Sequence, residues 1–129
     1  MEIIMQRRFS KEEQEQVRRI NISLFLVDYD IARGTRRFSL DNKGYIRDEK
    51  NPQWVGNAMK NWWYDNSANA SHKNGNIIDW LMYISGECYS FPETMTILLA
   101  YSRGEEWWQY LRNNENPFDN LQEEDLPFN

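Results

Sequence analysis

The sequence predicts an α+β fold in which a small antiparallel sheet of three or four strands is flanked by N-terminal and C-terminal helices. Helix-start signals stand on both sides of the centre: Ser10 and Ser90 are each followed three residues later by glutamate, a pattern that caps a first helical turn. Between them, residues 35–65 hold short aromatic-rich stretches separated by turn residues. We therefore expect a single domain over residues 1–112 and an acidic, flexible tail over residues 113–129.

Two helices are expected before the sheet. Ser10 and Glu13 form a capping box that starts a helix over residues 11–19. Apolar residues then recur at helical spacing, and Gly34 ends this second helix. The residues of this pattern are Ile22, Phe25, Leu26 and Tyr29.

The central region reads as short strands joined by turns. Residues 42–44, Asn-Lys-Gly, have turn chemistry and predict a hairpin between the stretches on either side. Residues 48–52 are expected to form a loop. The expected strands occupy residues 35–40, 45–47, 54–55 and 59–65, and the last is the strongest because aromatic side chains suit a pleated surface.

A polar segment and a helix follow the strands. Residues 66–75 are rich in Asn and Ser, and we expect them to be held by side-chain and backbone hydrogen bonds or to stay mobile. Asn76 is a suitable N-cap for an apolar helix that ends at Gly86. Asp79 stands at the third position of that helix, where a carboxylate favours the positive dipole end. A capping role for Asp79 is therefore preferred to a catalytic one.

The last helices have clear boundaries. Ser90, Pro92 and Glu93 together give a strong start signal. Gly104 breaks that helix, and residues 105–112 are expected to form a short terminal one.

Composition limits the classes of function. The net charge is −5, but residues 1–50 carry a net +2 and residues 51–129 a net −7, which indicates a basic N-terminal face. Cys88 is the only cysteine, so we expect a reducing, cytoplasmic location and a buried thiol. His72 is expected to be a solvent-exposed loop residue. No stretch approaches the roughly 20 apolar residues of a membrane span, so no membrane partner is expected.

Three motifs occur in a defined order along the chain: Asp48-Glu-Lys-x-Pro52, Gly75-Asn-Ile-Ile-Asp79 and Ser90-Phe-Pro-Glu93. In this order they resemble the zinc-binding domain at the N-terminus of bacterial DNA primases, and the resemblance covers residues 9–101. It implies a sheet between helices and no catalytic role, because that domain is not the catalytic part of a primase. Zinc-less relatives of the domain are typical of plasmid, transposon and phage proteins.

The zinc ligands of that family are absent from this chain. Its four ligand positions fall on Gly44 and Arg47 and near Asp65 and Ala68, which do not supply the thiolate or imidazole donors that tetrahedral zinc needs. We therefore expect no metal and no cofactor. Bulky aromatic side chains are expected to stabilise the framework in place of the ion.

Single-stranded nucleic acid is the first expected partner. Four cationic residues, Arg36, Arg37, Arg47 and Lys60, lie in or near the predicted strands, where phosphates would bind. Trp62 and Tyr64 supply aromatic rings for base stacking. Alternation along a strand places Trp63 on the side opposite to Trp62 and Tyr64, so one of the two sides is expected to face the core, and the rings on that side would fill it. The chain is thus predicted to be a non-catalytic accessory module of a mobile element that binds single-stranded DNA or RNA, or a host-encoded or element-encoded replication protein.

A protein-binding role is the alternative. The Trp107-Trp108 pair and the acidic C-terminal half suit a basic partner, as in an inhibitor or adaptor of a host nucleic-acid enzyme of the phage defence-antagonist type. A third interpretation is a degenerate structural domain that mainly dimerises. The sequence shows no nucleophile elbow and no phosphate-binding glycine loop, so no enzymatic activity is expected.

Overall fold

A computed structural model describes residues 8–112 of the chain. Within that range the protein is α+β, with four α-helices and one open antiparallel sheet. The predicted fold class is confirmed, and the sheet has five strands rather than three or four. The acidic tail predicted for residues 113–129 lies outside the described residues.

The two N-terminal helices form as their caps predict. Helix α1 spans Lys11–Arg18, and the side chains of Ser10 and Glu13 each accept a hydrogen bond from the other's backbone N–H. Helix α2 spans Ile22–Arg33 and is capped by Asn21. It ends at Gly34, whose φ of 68° lies in the left-handed region that suits glycine.

The sheet is a simple meander in which each strand pairs with its sequence neighbours. Short turns join the first four strands, so the register follows directly from the hairpins. The strands are β1 (Phe38–Leu40), β2 (Tyr45–Asp48), β3 (Asn51–Asn57), β4 (Trp62–Asp65) and β5 (Asn74–Gly75).

Strands β1 and β4 each begin three residues later than predicted, and two other strands differ more from the sequence-based expectation. Strand β3 begins at Asn51, inside the stretch predicted to be a loop. The Asp48 carboxylate accepts a hydrogen bond from the Lys50 backbone N–H at 2.8 Å, so the chain reverses within two residues. Strand β5 lies in the polar segment and pairs with β4 at Trp63 and Tyr64. Its residues have low strand propensity, so the local sequence pattern did not predict this strand.

The C-terminal half is helical. Helix α3 spans Ile77–Asp79 and passes directly into a π-helical turn, Trp80–Ile84. Asn76 and Asp79 form a reciprocal capping box, which confirms the capping role predicted for Asp79. Helix α4 spans Phe91–Ser102, and the predicted terminal helix is a 3₁₀ turn, Trp107–Tyr110.

Large aromatic residues form the core between the sheet and the helices. Trp54, Trp63 and Trp80 are completely buried, as is Phe25 of α2. The Trp54 and Trp63 rings stack with their centroids 6.3 Å apart. Because these residues come from α2, β3, β4 and the π-helical turn, the rings join the helices to one face of the sheet.

Asn61 fixes the β3–β4 turn against the helices. Its φ of 55° is in the left-handed region, which asparagine tolerates better than most residues. Its side-chain oxygen accepts a bond from the Ile22 N–H at 2.8 Å, and its amide nitrogen donates to the carbonyls of Arg18 and Ile20. The sheet is thereby tied to the α1–α2 junction. Separately, none of the helices within residues 8–112 is long and apolar enough to cross a membrane.

Candidate nucleic-acid interface

The outward face of the sheet carries two rows of side chains that the strand register sets side by side. Burial alternates along β2 and β4, so Ile46 and Trp63 face the core while their neighbours face outward. One row contains Tyr45, Asn57 and Trp62, which are paired across β2, β3 and β4. The next row contains Arg47, Val55 and Tyr64.

A shallow concavity of about 400 Å³ lies on this face. Two tyrosines line it, and each keeps 38% of its surface exposed. Two cationic residues line it as well, so rings and positive charges share one surface. The full lining is Tyr45, Arg47, Val55, Asn57, Lys60, Tyr64 and Asn66.

Arg47 is held in place by a carboxylate. Its Nε donates to Asp41 Oδ2 at 3.0 Å, and its side chain remains about half exposed. Backbone N–H groups of Tyr45 and Lys43 also donate to Asp41, and with Arg47 they hold the pKa of that carboxyl below its usual range. The guanidinium therefore presents its remaining N–H groups to solvent on the outward face.

Four of the chain's five lysines lie in the turns and loops of the sheet. The register places Lys43 and Lys60 at one end of the strands, where β2 begins and β3 ends. Lys50 and Lys73 lie at the other end, beside the β2–β3 turn and the start of β5. All four are exposed. Positive charge thus flanks the aromatic concavity at both ends.

Trp62 lies on the same face but does not line the concavity. Its side chain is half-buried, and its Nε1 donates to the Asn74 side-chain oxygen at 3.2 Å. The bond holds the indole near β5, next to Tyr64 on the outward face. Trp62 therefore extends the aromatic surface beyond the concavity.

Arg37 does not belong to this interface. Its guanidinium makes two bonds of 2.9 Å to the Asp48 carboxylate, which is completely buried, and its own side chain is only 12% exposed. It also lies over the Trp80 ring at 5.7 Å. The prediction that Arg37 contacts phosphate is corrected accordingly: a buried carboxylate takes its charge, and the residue faces the core.

Arg36 takes the opposite orientation to its neighbour. It is exposed and stands just before β1. The Glu49 N–H donates to the Arg37 carbonyl at 2.8 Å. This bond places the residues just before β1 beside the β2–β3 turn, which carries Lys50. Arg36 therefore adds a positive charge at that end of the sheet, outside the concavity.

Several residues of the concavity were not singled out by sequence reasoning. Tyr45, Val55, Asn57 and Asn66 join the predicted Arg47, Lys60 and Tyr64 only through strand pairing. Val55 sits between Arg47 and Tyr64 because β3 lies between β2 and β4. Alternation along β2 could have identified Tyr45, because it places Tyr45 and Arg47 on the same side of the strand, opposite to Ile46.

Gly44 and Asp65, at or near positions that the resemblance matches to zinc ligands, have structural roles in this chain. Gly44 occupies the β1–β2 turn with a φ of 84°, and Asp65 is buried at the end of β4. Burial raises the pKa of the Asp65 carboxyl, but bonds from Ser67 and Asn51 outweigh it and hold the pKa below the usual range. The polar segment is thus organised by hydrogen bonds. Within residues 8–112, no group of three or more His, Cys, Asp or Glu residues has the arrangement of a metal site.

The single cysteine and the single histidine differ from expectation. Cys88 is exposed, not buried, and it lies between two helical segments with a φ of 54°, in the left-handed region. His72 is half-buried, since its ring stacks on Tyr83 at 3.8 Å.

No protein-family model matches this chain, and no curated protein or solved structure matches it either. The likeness to the primase zinc domain therefore depends on its three sequence motifs alone.

Proposed function

We propose that the outward face of the sheet binds single-stranded nucleic acid and that the chain is a non-catalytic accessory module of a mobile element. The observation that carries the proposal is the shared concavity, where Tyr45 and Tyr64 lie with Arg47 and Lys60. Single-strand binding needs two things together: cations for the phosphates and exposed rings for the bases. This surface combines them.

The two tyrosines are suited to stacking rather than to core packing. Each projects from a strand whose neighbouring residues, Ile46 and Trp63, fill the core from the other side. A ring on a rigid strand loses little conformational freedom when a base stacks on it. Stacking contributes about 1–3 kcal/mol per base and accepts any base, so we propose binding with little sequence preference.

The lysines at both ends of the strands suit a backbone that crosses the sheet. Lys43 and Lys60 at one end, and Lys50 and Lys73 at the other, place cations before and after the rings. Phosphate contacts of this kind make affinity depend steeply on salt. The mobile-element setting comes from the primase resemblance, which also supports a binding role rather than catalysis.

The direct test is a titration of labelled single-stranded oligonucleotide at low salt. We expect Tyr64→Ala to weaken binding by about 5–150-fold, the equivalent of one lost stacking contact. Lys60→Ala is expected to weaken binding less and to reduce the slope of log affinity against log salt by about 0.7.

Matched controls lie elsewhere on the surface. Tyr110 is 46% exposed in the 3₁₀ turn, and Lys11 is exposed at the start of α1. Tyr110→Ala and Lys11→Ala should leave the affinity unchanged. Wild-type protein that fails to bind at micromolar concentration in low salt would refute the proposal, as would equal losses from the sheet variants and these controls.

A further inference from the structure

A second concavity lies on the helical side of the molecule, apart from the sheet face. It has a volume of about 680 Å³ and runs between the α1–α2 junction and the end of α4. Its walls include Leu24 and Asp28 of α2, Tyr101 of α4 and both residues of the Trp107-Trp108 pair. We refer to it as the helical groove.

Three aromatic rings of the helical groove meet nearly at right angles. The Tyr101 and Trp107 planes are inclined at 85° with centroids 5.4 Å apart, and Trp107 and Trp108 at 81° with centroids 6.4 Å apart. Trp107 is only 8% exposed and contacts both other rings, whereas Tyr101 and Trp108 are partly exposed in the groove. These two accessible rings attract a cation, because the face of an aromatic ring carries negative electrostatic potential.

The charges in the helical groove favour a cation as well. Asp28 and Glu105 line it, and neither forms an ion pair with any residue between 8 and 112. Asp28 accepts a bond of 2.6 Å from the Tyr101 hydroxyl, which fixes its carboxylate against the rings. Arg19 is the only cationic residue of the lining, so the two carboxylates leave a net negative charge.

An exposed apolar stripe on α2 starts in the helical groove. Leu24, Val27 and Ile31 are 60%, 48% and 64% exposed and follow one another at helical spacing. Leu24 belongs to both surfaces. A small ammonium compound would not cover this stripe, whereas an extended protein segment would, with a basic side chain in the helical groove and apolar side chains along α2.

We propose that the helical groove binds a segment of a partner protein that carries an arginine or lysine flanked by apolar residues. The basic side chain lies among Tyr101, Trp107 and Trp108 and pairs with Asp28 or Glu105. The neighbouring apolar residues pack on Leu24 and Val27. This site is separate from the sheet face, so both surfaces can be occupied at once.

The test uses the full chain and a short synthetic peptide with one central arginine between leucines. A matched peptide carries citrulline, which keeps the shape of arginine without its charge. Tryptophan fluorescence and calorimetry follow binding. We expect saturable binding of the arginine peptide, at least about tenfold weaker binding of the citrulline peptide, and a loss of about tenfold with Trp108→Ala.

A second variant removes charge without touching the core. Glu105 is exposed, so Glu105→Gln should fold normally and still weaken the arginine peptide severalfold. Equal binding of both peptides, or no binding at about millimolar peptide, overturns the proposal. Lys60→Ala and Tyr64→Ala should leave peptide binding intact, so failure here is distinguishable from failure of the nucleic-acid proposal.

Discussion

Arg37 shows how much a single residue's environment decides its role. In the sequence it is one of several arginines near a predicted strand, and its charge suits a phosphate. In the fold it balances Asp48, a carboxylate with no exposed surface. Two parallel N–H···O bonds and the adjacent Trp80 ring hold it there. Its contribution is therefore to stability, and Arg47 and Lys60 are the residues of the concavity that we propose for phosphate binding.

We expect Arg37→Ala to lower the free energy of unfolding by about 3–5 kcal/mol, because Asp48 is left buried without a counter-charge. Arg37→Lys should lower the free energy of unfolding by less than Arg37→Ala does, because lysine keeps the positive charge although it loses the two parallel hydrogen bonds. Urea denaturation measures both. Arg36→Ala is the matched control and should change stability by less than about 0.5 kcal/mol. A loss below about 1 kcal/mol for Arg37→Ala would contradict this assignment.

The elements whose ends carry capping residues were predicted well. The predicted caps at Ser10, Asn76 and Ser90 all form, because each needs only the residue three positions away. Strand β5 was missed for the opposite reason. Asn74 and Gly75 have low strand propensity, and their pairing partners in β4, Tyr64 and Trp63, lie ten and twelve residues earlier, so the pairing depends on tertiary context.

The cap of α4 gives a pH-dependent prediction. A bond from Arg112, and then the Ser90 N–H, hold the pKa of the Glu93 carboxyl below its usual range. A depressed folded-state pKa stabilises the fold above the unfolded value of about 4.3 and loses that effect as the pH falls through the folded value. Glu93→Gln should therefore be less stable than wild type at pH 7.

The difference in the free energy of unfolding between wild type and Glu93→Gln should shrink below about pH 4, as the wild-type carboxylate becomes protonated. Urea denaturation at a series of pH values measures it. The exposed Glu49 offers a comparison, because Glu49→Gln should show a much smaller pH-dependent difference. A Glu93→Gln difference that stays constant from pH 7 to pH 3 would show that the carboxylate has no such role.

At the scale of the whole molecule, charge is divided between the body and the tail. Residues 8–112 contain fourteen basic and fourteen acidic residues, so the net charge of −5 resides in residues 113–129. Because residues 8–112 carry no net charge, the local arrangement of charged side chains decides which surface attracts a charged ligand. The sheet turns concentrate lysine, and the helical groove is lined by two carboxylates, so we propose that the two surfaces bind ligands of opposite charge.

The sequence predicted the fold class and the placement of Trp63 on the side of β4 opposite to Trp62 and Tyr64, because side chains alternate along a strand. The structure shows that Trp63 is the ring that points inward. The sequence did not predict which arginines reach the outward face. That depends on whether a buried carboxylate lies opposite, and Asp48 is buried on the same side of β2 as Ile46, which faces the core. The helical groove could not be predicted from local sequence pattern either, since its walls come from two segments far apart in the sequence, residues 16–28 and 101–108.

The most direct test of the sheet-face account is an NMR titration of ¹⁵N-labelled protein with single-stranded oligothymidylate at low salt. We expect the largest amide shift changes on the outward strands, at Tyr45, Arg47, Val55 and Tyr64, and little change at Asp28 or Trp108 in the helical groove. Changes confined to the helical groove, or a spectrum unaltered by excess oligonucleotide, would contradict the account.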